Sequence, residues 1–301
     1  MDFFKNFFGK KESESPPVID SAKTAPLSDV QIKSIQDLTQ NHYEPTQFLV
    51  ASGQSVGHQR ELNEDCLFTM STSIAGNTGN LPLGLFIVAD GMGGHQFGEV
   101  ASNTAIRSIS SFVMRTIHNS MFGYPSQPLD EPLQEILQDA IMEAQRAVLK
   151  EAPGSGTTVT AALALGQQLT IAHVGDSRGY MLYNEQRMDS ITRDHSLVRR
   201  LEELGQITSS EAAVHPQRNV LYRAVGQGEA LEADVVTTPF PIGGYLMLCS
   251  DGLWGLVSDD DMRRIVYNAP NIQRACQDLV AAANAAGGPD NISVILAQLL
   301  G

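Results

Sequence analysis

Residues 83–95 constrain the fold of this chain more than any other stretch. They read Leu-Gly-Leu-Phe-Ile-Val-Ala-Asp-Gly-Met-Gly-Gly-His, an apolar run broken by an aspartate and then by glycines. A half-exposed strand would alternate polar and apolar residues, so 85–89 predict a strand buried on both faces. Asp90 emerges at its end, where Gly91, Gly93 and Gly94 let the backbone turn tightly and approach whatever the carboxylate holds. A single Asp-Gly more often marks a plain turn. Here the pattern recurs.

Asp176 follows the apolar run 169–174, Asp251 follows 245–249, and Asp290 precedes a strand at 292–299. Glu64 and Asp65 sit beside another strand at 66–72. Strand ends in one sheet lie close together, so these groups are expected to converge on one rim. Ionised carboxylates crowded together raise one another's pKa unless cations neutralise them. An all-oxygen donor set favours Mg²⁺ or Mn²⁺ over Zn²⁺. Two such ions about 4 Å apart can activate a bridging water and clamp a phosphoryl group for in-line displacement. Arg60, just before the acidic pair, is a suitable fork for phosphate oxygens.

The rest of the chain supplies context. Helices are expected at 99–115 and 133–150, then a meander with strands at 157–165, 169–174, 178–183 and 187–191. Asp194 is expected to cap a helix over 196–204, and strands at 220–225, 231–237 and 244–249 follow. Two more helices are read from Ser258 and over 271–286. Short connections imply antiparallel pairing, and helices come in two pairs with meanders between them. The fold class is therefore α+β with a mainly antiparallel sheet.

With Lys+Arg 20 against Asp+Glu 34, the net charge of −14 argues against general nucleic-acid binding. Three cysteines without a Cys-x-x-Cys point to free thiols in a reducing compartment. No apolar run approaches the roughly 20 residues that span a bilayer, and a cytoplasmic location is expected. Residues 1–46 read as an extension preceding the domain at 47–301. In it Phe3, Phe4, Phe7 and Phe8 share one side of a helix, 12–26 form a linker and a short helix starts at Ser28. The Phe-rich segment 1–11 suits a weak membrane or partner contact, set against the commoner frayed terminus.

Six segments carry a resemblance: Arg60-x-x-Asn-Glu64-Asp65, Ala89-Asp90-Gly91-Met92-Gly93-Gly94, Gly156-Thr157-Thr158, Val174-Gly175-Asp176-Ser177-Arg178, Cys249-Ser250-Asp251-Gly252 and Asp290-Asn291. In this order the chain resembles the metal-dependent Ser/Thr protein phosphatases, the PPM or type 2C family, in its bacterial form. The resemblance implies a four-layer αββα sandwich, two antiparallel sheets each covered by a helix pair. It implies hydrolysis of phosphoserine and phosphothreonine by a water held between two Mn²⁺ or Mg²⁺ ions, on proteins phosphorylated by a kinase.

Carried over by position, Asp90 bridges the two ions, the Gly91 carbonyl serves one, and Asp251 and Asp290 hold the other. Glu64 and Asp65 act through bound waters, and Arg60 takes the substrate phosphate. Asp176, with Asp251 and with Asn219 in a lesser part, matches a weaker third-metal site; 194–219 match a flap beside the active site. Many eukaryotic members have histidine where this chain has Met92, and His95 is the nearest substitute as general acid. On that role, His95→Ala slows phosphoserine peptides more than p-nitrophenyl phosphate, whose leaving group needs no proton; equal loss on both substrates excludes it. The competing readings are an inactive binding module of the same family and a phosphatase for small phosphate esters.

Overall fold

The structure, a computed structural model, describes residues 45–76, 79–93, 97–125, 127–228 and 230–301. The Phe-rich segment, the linker, the short helix from Ser28 and His95 lie outside the described residues. The described residues of 45–301 fall in one compact unit.

Two antiparallel sheets face each other. The first runs β1 (Gln47–Ser55), β11 (Ile292–Leu300), β10 (Tyr245–Cys249), β7 (Arg178–Leu182) and β8 (Met188–Ser190). The second runs β2 (Asp65–Gly76), β3 (Gly79–Met92), β5 (Val159–Leu165), β6 (Gln168–Val174) and β9 (Asp234–Pro239), with β4 (Gly156–Thr157) paired to the end of β3. Helices α1 (Phe97–Met121) and α2 (Leu133–Glu151) cover the second sheet. Helices α6 (Asp259–Asn268) and α7 (Ile272–Ala285) cover the first. Shorter helices are α3 (Leu197–Glu203), α4 (Ser209–Ala213) and α5 (Asp251–Trp254).

The two-residue period of a strand explains the apolar run in β3. Leu85, Ile87 and Ala89 pack under α1 and α2, whereas Phe86 and Val88 point into the space between the sheets. There they meet Phe48, Leu169, Ile171, Phe240, Leu246 and Ile295. A central strand covered on both faces has no polar side to show. On α2, Ile136, Leu137, Ala140, Ile141, Ala144 and Val148 form the buried stripe expected of helical spacing. The four layers match the expected αββα sandwich. All three cysteines are free thiols, and burial pushes Cys249 and Cys276 up to about 12.

Two expectations fail locally. Residues 220–225 form no strand; they make only isolated bridges, Ser196 to Leu221 and Thr157 to Val225. Val220 and Tyr222 are exposed and only Ala224 and Val225 are fully buried, so no continuous buried face holds a ladder together. Nor does Asp194 cap α3. Ser196 does, accepting the Arg199 N–H, because the Asp194 carboxylate is taken by Arg178 at 2.7 Å.

Candidate metal and phosphate site

Alternate strands of an antiparallel sheet end on the same rim, and that rim collects the acidic residues. Asp65 opens β2 and stands opposite Asp90 near the end of β3. Asp176 follows β6, next to β5 in the same sheet. From the facing sheet, Asp251 follows β10 and Asp290 precedes β11, which pair antiparallel.

Specific contacts lock the loops in place. Asn291 is the knot: its Nδ2 donates to the carbonyls of Val56 and Leu62 at 2.9 Å, and its Oδ1 accepts the Glu64 N–H at 2.8 Å. Gly252 packs so closely on the Asn291 carbonyl that a Cβ would stand 1.9 Å from it. Any side chain there would push Asp251 away from Asp290. Asp90 is held through its backbone, its N–H donating to Thr158 Oγ1 at 2.9 Å and its carbonyl accepting from Thr158 N–H and Thr157 Oγ1. Ser250 Oγ donates to Asp65 Oδ2 at 2.8 Å, leaving Asp65 Oδ1 buried without a partner.

The electrostatics show that the carboxylates sense one another. Burial, then the charges of Asp65, Asp251, Asp176 and Asp290, lift Asp90 well above the usual carboxylate range. Asp176 is raised the same way by burial and by Asp251 and Asp194, with Arg178 opposing. Burial lifts Asp65 to about 7, against hydrogen bonds from Ser293 and Ser250. Asp251 rises to about 6 through burial and the Asp290 charge, with a hydrogen bond from Asp90 working the other way. Arg60 faces this group across the rim, 2.8 Å from Asp290 Oδ2 and 3.7 Å from Glu64 Oε2.

Oxygen donors, desolvated like charges and an orphaned Asp65 oxygen fit hard divalent cations. Among the described residues no three His, Cys, Asp or Glu side chains already close on a common point as a finished coordination shell. The fit therefore lies in the chemistry of the donors and their mutual repulsion. A cation could draw these carboxyls together and release the protons their raised pKa values retain.

Of the residues picked from the sequence, Arg60, Glu64, Asp65, Asp90, Gly91, Asp176, Asp251 and Asp290 are linked in this one region. Gly91 joins it through its N–H to the Glu64 carbonyl at 3.2 Å. Asn219 is exposed in the turn closed by Val220 N–H on the Gln217 carbonyl, and no hydrogen bond among the described residues ties it to the acidic group. Asn291, Ser250 and Thr158 are not among the residues expected from the sequence, although each lies in a segment that carries the resemblance. Asx and hydroxyl residues flanking a strand-end aspartate were the available signal.

Comparisons with known proteins agree with this geometry. The family model for Protein phosphatase 2C matches residues 49–292. The Serine/threonine phosphatase stp of Listeria innocua is 37% identical over 214 residues, 71% of this chain and 84% of its own length. The Protein phosphatase PhpP of Streptococcus pneumoniae is 35% identical over 247 residues, 81% of this chain and 94% of its own. Among solved structures, the Mycobacterium tuberculosis serine/threonine phosphatase PstP/Ppp superposes with a TM-score of 0.69 at 31% identity, covering 85% of this chain and 100% of that one. The catalytic domain of PstP in complex with two manganese ions gives a TM-score of 0.67 at 29% identity, with the same two coverages. With its rim of strand-end carboxylates and a family match running through nearly all of the described residues, the chain belongs to the protein phosphatase 2C family.

Proposed function

We propose that this chain is a Mn²⁺- or Mg²⁺-dependent phosphatase for phosphoserine and phosphothreonine in proteins, opposing a cytoplasmic protein kinase. One observation carries the reading: aspartates from distant parts of the chain share a single rim closely enough to raise one another's pKa, with an arginine facing them. Divalent ions bound there would neutralise the carboxylates and acidify water for in-line attack on phosphorus. Asp90, Asp251 and Asp290, with the Gly91 carbonyl, would hold the two core ions, Glu64 and Asp65 their surrounding waters, and Asp176 a third, weaker ion. The Arg60 guanidinium would orient two phosphate oxygens and offset the charge that builds on them. Residues 194–219 would form the flap over the bound substrate. A cytoplasmic site is supported by the free thiols. Among the described residues no helix is long and apolar enough to cross a membrane.

Turnover of p-nitrophenyl phosphate with Mn²⁺, Mg²⁺, Ca²⁺ or EDTA tests the chemistry. Activity is expected with Mn²⁺, with Mg²⁺ to a lesser degree, and none in EDTA. Undiminished activity in EDTA excludes the metal-dependent reading, and inactivity with every ion favours a binding module. A panel of phosphopeptides against nucleotides and sugar phosphates then separates protein substrates from small esters.

A further inference from the structure

His195 is almost wholly buried at the base of the segment that leads into α3. Its Nδ1 accepts the Gly175 N–H at 3.1 Å, and the Gly175 carbonyl accepts the His195 N–H at 2.7 Å. A backbone N–H can only donate, so Nδ1 carries the lone pair and the ring proton sits on Nε2. That nitrogen faces Asp234 Oδ2, on β9, at 3.2 Å. Arg223 fixes the same carboxylate through Oδ1 at 2.8 Å. The ring is held between His173 and Tyr222, at 5.0 and 5.6 Å between centroids. Burial, helped by the Arg223 charge, keeps its basicity below that of an ordinary histidine, and the neutral tautomer persists against the pull of Asp234.

What His195 grips is the turn carrying Asp176. Gly175 has φ +107°, and a Cβ there would stand 2.6 Å from the Thr158 side chain. The turn is thus pressed on Thr158 from one side and tied to His195 from the other. Thr158 is the residue whose hydroxyl takes the Asp90 N–H, and it also shares a 2.6 Å hydrogen bond with Ser177 Oγ. His195 further accepts the Tyr222 N–H at 2.9 Å on its carbonyl, and Leu197 N–H reaches the Val220 carbonyl at 2.8 Å. Both ends of the segment between Asp194 and Tyr222 therefore close on this histidine.

We propose that His195, oriented by Asp234, is a positioning residue that sets Asp176 against Asp90 and Asp251 and couples the seating of the 194–222 segment to cation binding at Asp176. The inference rests on the phosphatase reading above. His195 does not contact the reacting atoms, since both ring nitrogens are engaged with Gly175 and Asp234. A histidine that merely filled space would leave cation binding unchanged when replaced by another large ring.

The test uses the full chain and counts bound Mn²⁺ by electron paramagnetic resonance alongside the Mn²⁺ dependence of p-nitrophenyl phosphate turnover. His195→Phe keeps the ring volume but can neither accept nor donate. It is expected to weaken one class of Mn²⁺ sites about tenfold, with more effect on metal dependence than on turnover at saturating Mn²⁺. His195→Gln can accept from Gly175 and donate to Asp234, and is expected to restore most of the affinity. Asp234→Asn, which leaves the histidine in place, is expected to cost about threefold. Wild-type Mn²⁺ binding in a folded His195→Phe protein overturns the proposal, as does equal impairment in the Gln and Phe variants. Should His195→Phe not fold, Asp234→Asn decides: unchanged Mn²⁺ binding overturns the proposal, and weakened binding upholds it. A wild-type protein that neither binds Mn²⁺ nor hydrolyses phosphoesters would instead overturn the phosphatase reading.

Discussion

Asp90→Asn is expected to lower p-nitrophenyl phosphate turnover by at least about a thousandfold in saturating Mn²⁺, a loss of roughly 4 kcal/mol of transition-state stabilisation. The fold should not notice. Burial and four neighbouring carboxylates hold Asp90 well above the usual range, which favours the neutral form of this side chain when no cation is bound. Asparagine is nearly isosteric with that protonated acid, and its neutral amide avoids placing a charge beside Asp251 and Asp65. The melting temperature of the metal-free variant should therefore stay within about 2 °C of wild type at pH 7. The rise that Mn²⁺ gives the wild type should nearly vanish. This pairing separates a ligand from a structural residue. A structural aspartate would lower the metal-free melting temperature and leave the Mn²⁺-dependent rise intact.

Removing metal exposes a second large effect, with a definite sign. Burial pushes Asp65 up to about 7 and Asp251 up to about 6, and Asp90 and Asp176 are also raised by burial and by neighbouring carboxylates. A carboxyl raised on folding adds stability that is fully present below its unfolded pKa, near 4. That stability is lost as pH rises through the folded value. The buried histidines act oppositely. His173 is depressed to about 3 by burial, and His195 is lowered for the same reason, so they favour the fold as pH rises toward their unfolded pKa near 6.5. Above that pH the histidines are neutral in both states and the carboxylates alone act. Between pH 6.5 and 8 the metal-free protein should lose about 2–4 °C of melting temperature in all as Asp251 and Asp65 ionise. Excess Mn²⁺ should abolish or reverse the slope, because a bound cation takes the place of the protons. Melts in chelator and in Mn²⁺ across this range check it. A flat metal-free profile would mean that the aspartates do not share one desolvated rim.

Much of this was legible before any coordinates. The continuous apolar run of β3 predicts a strand covered twice, and the stripe Ile136, Leu137, Ala140, Ile141 and Ala144 predicts a helix on a sheet. Strand-end aspartates predict a shared rim, because antiparallel connections return alternate ends to one side. These are local or periodic signals, and periodicity is a property of the chain itself. The failures were of another kind. Asp194 looked like a helix cap until Arg178, sixteen residues earlier, claimed its carboxylate. Residues 220–225 have strand-like composition, yet Val220 and Tyr222 face solvent and only two bridges form.

The amino-acid order alone thus determined which residues are apolar on which face, where strands end in carboxylates, and that these carboxylates call for hard cations. Only the tertiary structure decided how Asn291 ties the loop between β1 and β2 to the start of β11, how Thr158 joins Asp90 to Ser177, and that His195 grips the turn of Asp176. Each of those contacts joins residues distant in the chain. Its strength depends on burial and direction, and neither exists until the two sheets have closed on each other.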